Sequence, residues 1–247
     1  MKYAILYSGH LRTFLDTIDN HKEKIVNYND FDIYLNLWDC WGNGFVLKEY
    51  QFEDSDLITD EVKNILIDKI KPKFYEFQVY NTIYDEITEV MKIQENNTFI
   101  NNTNKIRNVI SMYYKLQRGF EHIKNSGINY DGVLRLRPDT FFDGNIELFK
   151  PDNNTLYTSL EPRWCLNGMG VNDQMGFGNM EVMNYYTNVY SNLKNIWGEN
   201  IYLNCAPELL LKTYLDKFDI KIKDIITMGE WEGVQLQRIM RENKIID

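Results

Sequence analysis

The chain opens on an almost unbroken apolar run, Tyr3-Ala4-Ile5-Leu6-Tyr7, that stops at Ser8-Gly9. A run without alternation predicts a strand covered on both faces, as in a parallel sheet. The period then changes. Phe14, Ile18, Ile25 and Val26 fall at helical spacing and predict a helix over 13–27. Phe31-Asp32-Ile33-Tyr34-Leu35-Asn36-Leu37 predicts a second strand. Val62, Ile65, Leu66 and Ile70 predict a helix over 60–70, with Asp60 as its N-cap and Pro72 just past its end. A third strand is expected at 73–80. The longest helix is expected over 104–124, where Ile106, Val109, Ile110, Tyr113, Leu116, Phe120 and Ile123 trace one face and Gly127 closes it. Val133, Leu134 and Leu136 then mark a strand that stops at Pro138. Further strands are expected at 155–160, 174–178 and 220–226. Helices are expected over 181–197 and 206–218, the latter with Pro207 at its first position.

Strands alternating with helices imply an α/β fold, with a Rossmann-type, mixed but mostly parallel sheet flanked by helices. The polar stretch at 94–104 reads as a surface loop. No repeat and no Pro/Gly/Ser-rich linker divides the 247 residues, so a single domain is expected. In open α/β sheets, ligands sit beyond the carboxyl ends of the strands, near a topological switch point. That singles out the segments 8–12, 38–44 and 137–142.

Charge narrows the partners. Lys and Arg number 27 against 36 Asp and Glu, a formal net charge of −9. An acidic chain lacks the basic footprint of non-specific nucleic-acid binding and does not favour an anionic membrane surface. No stretch approaches the ~20 apolar residues of a membrane span. Cys40, Cys165 and Cys205 are widely spaced and odd in number, which argues against a disulfide framework and a zinc site. The apolar run before Gly9 is too short for a signal peptide, and a cytoplasmic location is expected. The sequons at Asn96, Asn101 and Asn153 then read as products of Asn abundance.

Four constellations follow. In Ser8-Gly9-His10-Leu11-Arg12, the glycine permits close backbone approach to a ligand, and Arg12 offers a planar donor fork. A tight turn with a solvated Arg is the alternative. In Arg135-Leu136-Arg137-Pro138-Asp139, period two places both arginines on one side of a strand, and Pro138 presents Asp139 at its end. Buried arginines need an anionic partner, and a carboxylate among them suits a metal–diphosphate site. An internal Arg–Asp salt bridge is the alternative. In Asn172-Asp173-Gln174, Asp173 is a candidate base or sugar ligand, with a helix N-cap or an Asx turn as the plain alternative. Glu208 follows Pro207 at a helix start, a place the helix dipole favours without any function. Trp41 and Trp164 lie in loops where rings stack on sugars or bases, though a Trp is more often core. His21 and His122 fall on helices and read as surface residues. No HExxH, GxSxG, Walker loop or GxGxxG is present.

Taken together, the segments resemble nucleotide-diphospho-sugar glycosyltransferases of the GT-A fold, among them polysaccharide and viral enzymes. Ser8-Gly9-His10-Leu11-Arg12 resembles their SG-x-x-R start, and Tyr113-Tyr114-Lys115-Leu116 the segment before their metal motif. Tyr130-Asp131 through Arg135-Leu136-Arg137-Pro138-Asp139 resembles their YD-x-x-x-R-x-RPD signature. Asn172-Asp173-Gln174 with Gly178 resembles a DQ-x-x-x-G segment, and Pro207-Glu208 the PE-x-x-L that follows. The resemblance implies a sugar-nucleotide donor, a hydroxyl acceptor such as a glycan, and Mn²⁺ or Mg²⁺. It implies a nucleotide-binding half at 1–140 and an acceptor-side half at 141–247. Ser8, Gly9, Arg12, Arg135 and Arg137 would bind the donor, and Asp139 would take the metal. Asp173 is the first candidate base and Glu208 the second. Arg137 stands where a full DxD motif has its first Asp. Replacing Asp139 with Ala is expected to abolish activity and leave the fold intact. A binding module without turnover is the main alternative. A nucleotidyltransferase is a lesser one, since 8–12 has one glycine where that class has a Gly-rich loop.

Overall fold

The computed structural model describes residues 1–25, 31–42, 57–83, 85–86, 89, 103–159, 169–199, 206–225 and 236–238. The strands are β1 (Tyr3–Gly9), β2 (Asp32–Trp38), β3 (Phe74–Gln78), β4 (Gly132–Leu136), β5 (Thr140–Phe142), β6 (Thr155–Thr158), β7 (Met175–Gly178), β8 (Lys221–Asp224) and β9 (Leu236–Arg238). The helices are α1 (Phe14–Lys24), α2 (Asp60–Ile70), α3 (Thr103–Asn125), α4 (Met180–Thr187), α5 (Leu193–Glu199) and α6 (Pro207–Leu215).

Seven strands form one sheet in the order β3-β2-β1-β4-β7-β6-β8, and β5 pairs with β9 apart from it. β1, β2, β3 and β4 are mutually parallel, with Ile5 opposite Ile33 on one side and Leu134 on the other. β7 runs antiparallel to both β4 and β6, and β8 is parallel to β6. The sheet is therefore mixed and mostly parallel, and it joins strands from both halves of the chain.

Every residue of β1 is buried, as its unbroken apolar run requires. Its odd positions Tyr3, Ile5 and Tyr7 pack with Phe14 and Ile18 of α1 and Leu66 and Ile70 of α2. Its even positions Ala4 and Leu6 pack with the Ile106–Ile123 stripe of α3 and with α4, α5 and α6. The chain thus builds β1, β2 and β3 outward with α1 and α2 on one face. It then returns through α3 on the other face to place β4 on the far side of β1. The reversal of strand order between β1 and β4 is the topological switch point, and in open α/β sheets the ligand crevice lies there, at the carboxyl ends of the two strands.

Several boundaries differ from the sequence expectation. Thr59, not Asp60, caps α2, its hydroxyl accepting from Val62 N at 3.3 Å. Asp60 sits instead in the first turn, where the dipole favours it. The helix expected over 181–197 is broken between α4 and α5, with a 3-10 turn at Tyr190–Asn192. The intervening Asn188-Val189-Tyr190-Ser191-Asn192 contains no strong helix former. β5 and β9 are three residues each, too short to show a period. Most of the expected polar loop at 94–104 lies outside the described residues.

Gly119 lies inside α3, where an added Cβ would meet Leu6 Cδ1 at 2.6 Å and Asn36 Cβ at 3.0 Å. The missing side chain lets α3 lie close on β1 and β2. Helix propensity alone makes Gly119→Ala a gain of about 1 kcal/mol. The geometry reverses the sign, because Leu6 and Asn36 are both fully buried. Overpacking is expected to give a net loss of roughly 1–2 kcal/mol in urea unfolding.

Candidate active site at the switch point

The crevice collects the ends of β1, β2 and β4 and the start of β7. β1 leaves the sheet through Gly9 at φ +114°, a conformation that L side chains rarely adopt. Arg12 is left-handed at φ 49°, unusual for a residue with a Cβ. Its N–H donates to the Trp41 carbonyl at 2.7 Å, which ties the loop after β1 to the loop after β2. The strained backbone aims the Arg12 side chain across the switch point, where Nη1 donates to Asp139 Oδ2 at 3.0 Å.

β4 ends at Leu136, so Arg135 is on the strand and Arg137 opens the turn beyond it. Asp139 is 1% exposed. Its other oxygen, Oδ1, accepts from Arg137 Nε at 2.5 Å. Arg137 Nη1 also lies 3.7 Å from Asp173 Oδ2, and the two carboxylates hold its guanidinium pKa above the ordinary value against burial. Arg137 Nη2 is buried and has no hydrogen-bond acceptor among the described residues. Ser8 Oγ at the end of β1 is likewise buried and without a partner there.

Arg135 is fully buried, and its Nη1 donates to the Asp173 carbonyl. It braces the loop before β7 from behind. Asn172 forms the Asx turn of that loop, its Oδ1 accepting from Gln174 N at 2.7 Å and Met175 N at 3.3 Å. Arg137 N donates to the Gln174 carbonyl at 2.8 Å and joins the two loops. On the next element, Val171 N donates to the Glu208 carbonyl at 3.0 Å, which brings the start of α6 to the same crevice. Tyr113 on α3 donates to the Pro207 carbonyl at 2.5 Å and fixes that start. Burial, with Asp173 and Glu208 nearby, raises the Tyr113 pKa well above its usual value. Glu208 itself is half-buried.

One face of α1 holds the Arg-Pro-Asp turn. Thr17 Oγ1 donates to the Pro138 carbonyl at 2.6 Å. The Asn20 side chain pairs with both main-chain groups of Phe142 at 2.9 Å. His21 Nε2 donates to the Thr140 carbonyl at 2.7 Å, while Tyr7 O–H approaches Nδ1 at 3.2 Å. His21 is not the surface residue its helix position suggests. It is fully buried between Tyr7, Phe14 and Phe142. Thr17, Asn20 and His21 were not read as site residues from the sequence. Their i, i+3, i+4 spacing is nevertheless a polar stripe running beside the apolar one.

Burial lowers the His21 pKa to about 4, against the opposing pull of the Thr140 carbonyl and Asp139. Between pH 6.5 and about 4 the unfolded chain binds a proton on this ring and the native chain does not. Stability must therefore fall as pH drops through that window, by an amount on the order of 3 kcal/mol for His21. Denaturation midpoints measured across it are expected to decline less steeply for His21→Gln than for the parent. An identical slope in the two would contradict the buried neutral imidazole.

The crevice thus brings together all eight residues expected from the sequence: Ser8, Gly9, Arg12, Arg135, Arg137, Asp139, Asp173 and Glu208. It redistributes their parts. Arg135 supports the site from the core. Both carboxylate oxygens of Asp139, on which a divalent metal is expected, accept from guanidinium groups. Among the described residues no group of three His, Cys, Asp or Glu is placed to hold a metal ion. Trp38 and Trp197 are core, while Trp41 is half-buried beside Arg12. Trp164, Trp231, Cys165, Cys205, Asn96 and Asn101 lie outside the described residues. No helix among the described residues is long and apolar enough to cross a membrane.

These features define an α/β protein with a charged crevice at the switch point of a mostly parallel sheet. No protein-family model matches the chain, and no curated protein matches its sequence. Among solved structures it is similar to mouse xyloside xylosyltransferase 1 in its apo form, at 7% identity and a TM-score of 0.47, covering 90% of this chain and 84% of that one. A likeness at this level bears on neither substrate nor mechanism.

Proposed function

We propose that the protein is a glycosyltransferase that moves a sugar from a nucleoside-diphosphate donor to a hydroxyl acceptor, with a glycan as the acceptor class. One observation carries the reading. In a chain of net charge −9, three guanidinium groups converge at the switch point beside two carboxylates and a third carboxylate on α6. An anionic donor gains nothing from the overall field, and here the three guanidinium charges offset the three carboxylates, which lifts the repulsion of a −9 chain locally and supplies fixed donors for a diphosphate.

The chemistry follows from where charge develops. Cleavage at the anomeric carbon leaves an oxocarbenium-like sugar and a diphosphate that gains negative charge. Arg12 and Arg137 stabilise that diphosphate from fixed positions, without reorganisation at the moment of reaction. Gly9 lets the main chain approach it, and Ser8 Oγ is a donor without an internal acceptor among the described residues. The attacking hydroxyl loses its proton to a carboxylate. Glu208 suits this role better than Asp173. Glu208 is half-buried at a helix start, whereas Asp173 is buried against Arg137.

The test is a panel of UDP- and GDP-sugars incubated with the full chain, reading release of nucleoside diphosphate and transfer to glycan acceptors. One donor is expected to be consumed above the blank, and Arg12→Ala to slow that consumption by about tenfold or more. Saturable binding of a donor without turnover would replace the transferase with a nucleotide-sugar-binding module. No binding and no turnover would overturn both.

A further inference from the structure

The two oxygens of Asp139 are the natural place for a divalent cation in a diphosphate site, and both are occupied by arginine. Oδ2 accepts from Arg12 Nη1 at 3.0 Å and Oδ1 from Arg137 Nε at 2.5 Å. Mg²⁺ demands a near-octahedral set of oxygens at about 2.0–2.1 Å and keeps several waters. A carboxylate 1% exposed and clasped by two cations offers no such room. The next carboxylate, Asp173, is turned to the Arg137 guanidinium at 3.7 Å. Bringing in a divalent ion would require breaking one of these pairs and placing its charge beside a guanidinium.

The arginines retain donor capacity. Arg137 Nη2 is buried without an acceptor among the described residues. The Arg12 side chain is 22% exposed and is paired through Nη1 alone among the described residues, which leaves its other N–H donors uncommitted. A guanidinium matches two phosphate oxygens at once through parallel N–H donors.

We infer that Arg12 and Arg137 bind the donor diphosphate without a protein-held divalent cation, and that Asp139 is a positioning residue that fixes the two guanidinium groups. This rests on the donor-binding reading above. It reassigns the one carboxylate that the sequence marks for metal, and it makes the arginine pair the source of the charge that a metal supplies elsewhere.

The experiment is calorimetric titration of UDP and GDP into the full chain, once with EDTA and once with Mn²⁺. One of the two nucleotides is expected to bind with affinities that agree within about threefold between the two conditions. Arg137→Lys keeps the charge and loses the fork. It is expected to weaken binding by about tenfold or more in EDTA. Asp139→Asn separates the two roles of the carboxylate. A positioning residue predicts the same loss of affinity in EDTA and in Mn²⁺, whereas a metal ligand predicts a loss in Mn²⁺ alone. Binding that appears only with Mn²⁺ would overturn the inference and leave the transferase reading standing. No binding of either nucleotide in both conditions, with no donor consumed, would overturn both.

Discussion

Asp139→Ala is expected to lower stability by about 3–5 kcal/mol, because it removes the shared partner of two guanidinium groups and leaves buried charge uncompensated. For a chain of this size that corresponds to a fall of roughly 10 °C in Tm. The two ion pairs of Asp139 argue against the expectation that this substitution spares the fold. Asp139 is linked to Arg12 from the β1 loop and to Arg137 from the β4 turn, so its loss loosens the switch point itself. Activity should disappear with it. Asp139→Asn keeps the shape and one acceptor, and should fall between the two in thermal melts. A Tm for Asp139→Ala within a degree of the parent would contradict the clasped carboxylate.

Glu208→Gln should have the opposite signature. Glu208 is half-buried in the first turn of α6, so its charge is worth about 1–2 kcal/mol to the helix. The fold should survive. Loss of the acceptor's proton sink should lower kcat by about 10²–10⁴, with the donor's KM nearly unchanged. The same substitution at Asp173 should lower both stability and donor affinity, because that carboxylate faces Arg137. If Asp173→Asn alone reduced kcat and Glu208→Gln left it intact, the two carboxylates would exchange roles.

Much of this was legible from periodicity. The unbroken run of β1 required burial on both faces, and the stripe of α3 located its helix to within a residue or two. Arg135 and Arg137 were expected on one side of β4, and both face Asp173, one its carbonyl and the other its carboxylate. What periodicity does not carry is partner choice. Nothing in the local sequence says that Arg12 reaches a carboxylate 127 positions later. Asp139 therefore read as a vacant ligand when it is a shared acceptor. His21 failed for a related reason. Its helix position is visible in the sequence, but the segment that covers it, Thr140–Phe142, is too short to announce itself as a strand. The broken helix between α4 and α5 shows the same limit, since apolar spacing continues across a stretch whose residues do not favour the helical backbone.

On the reading proposed above, the crevice between β1 and β4 receives a nucleoside diphosphate on its arginines. The most direct measurement is a crystal structure of the chain soaked with UDP- and GDP-sugars, with and without Mn²⁺. A diphosphate is expected within hydrogen-bond distance of Arg12 and Arg137, beside Gly9, with the sugar toward Glu208, in both soaks. A donor bound elsewhere on the molecule, or a diphosphate in the crevice held through Mn²⁺ on Asp139 with the arginines turned away, would contradict it.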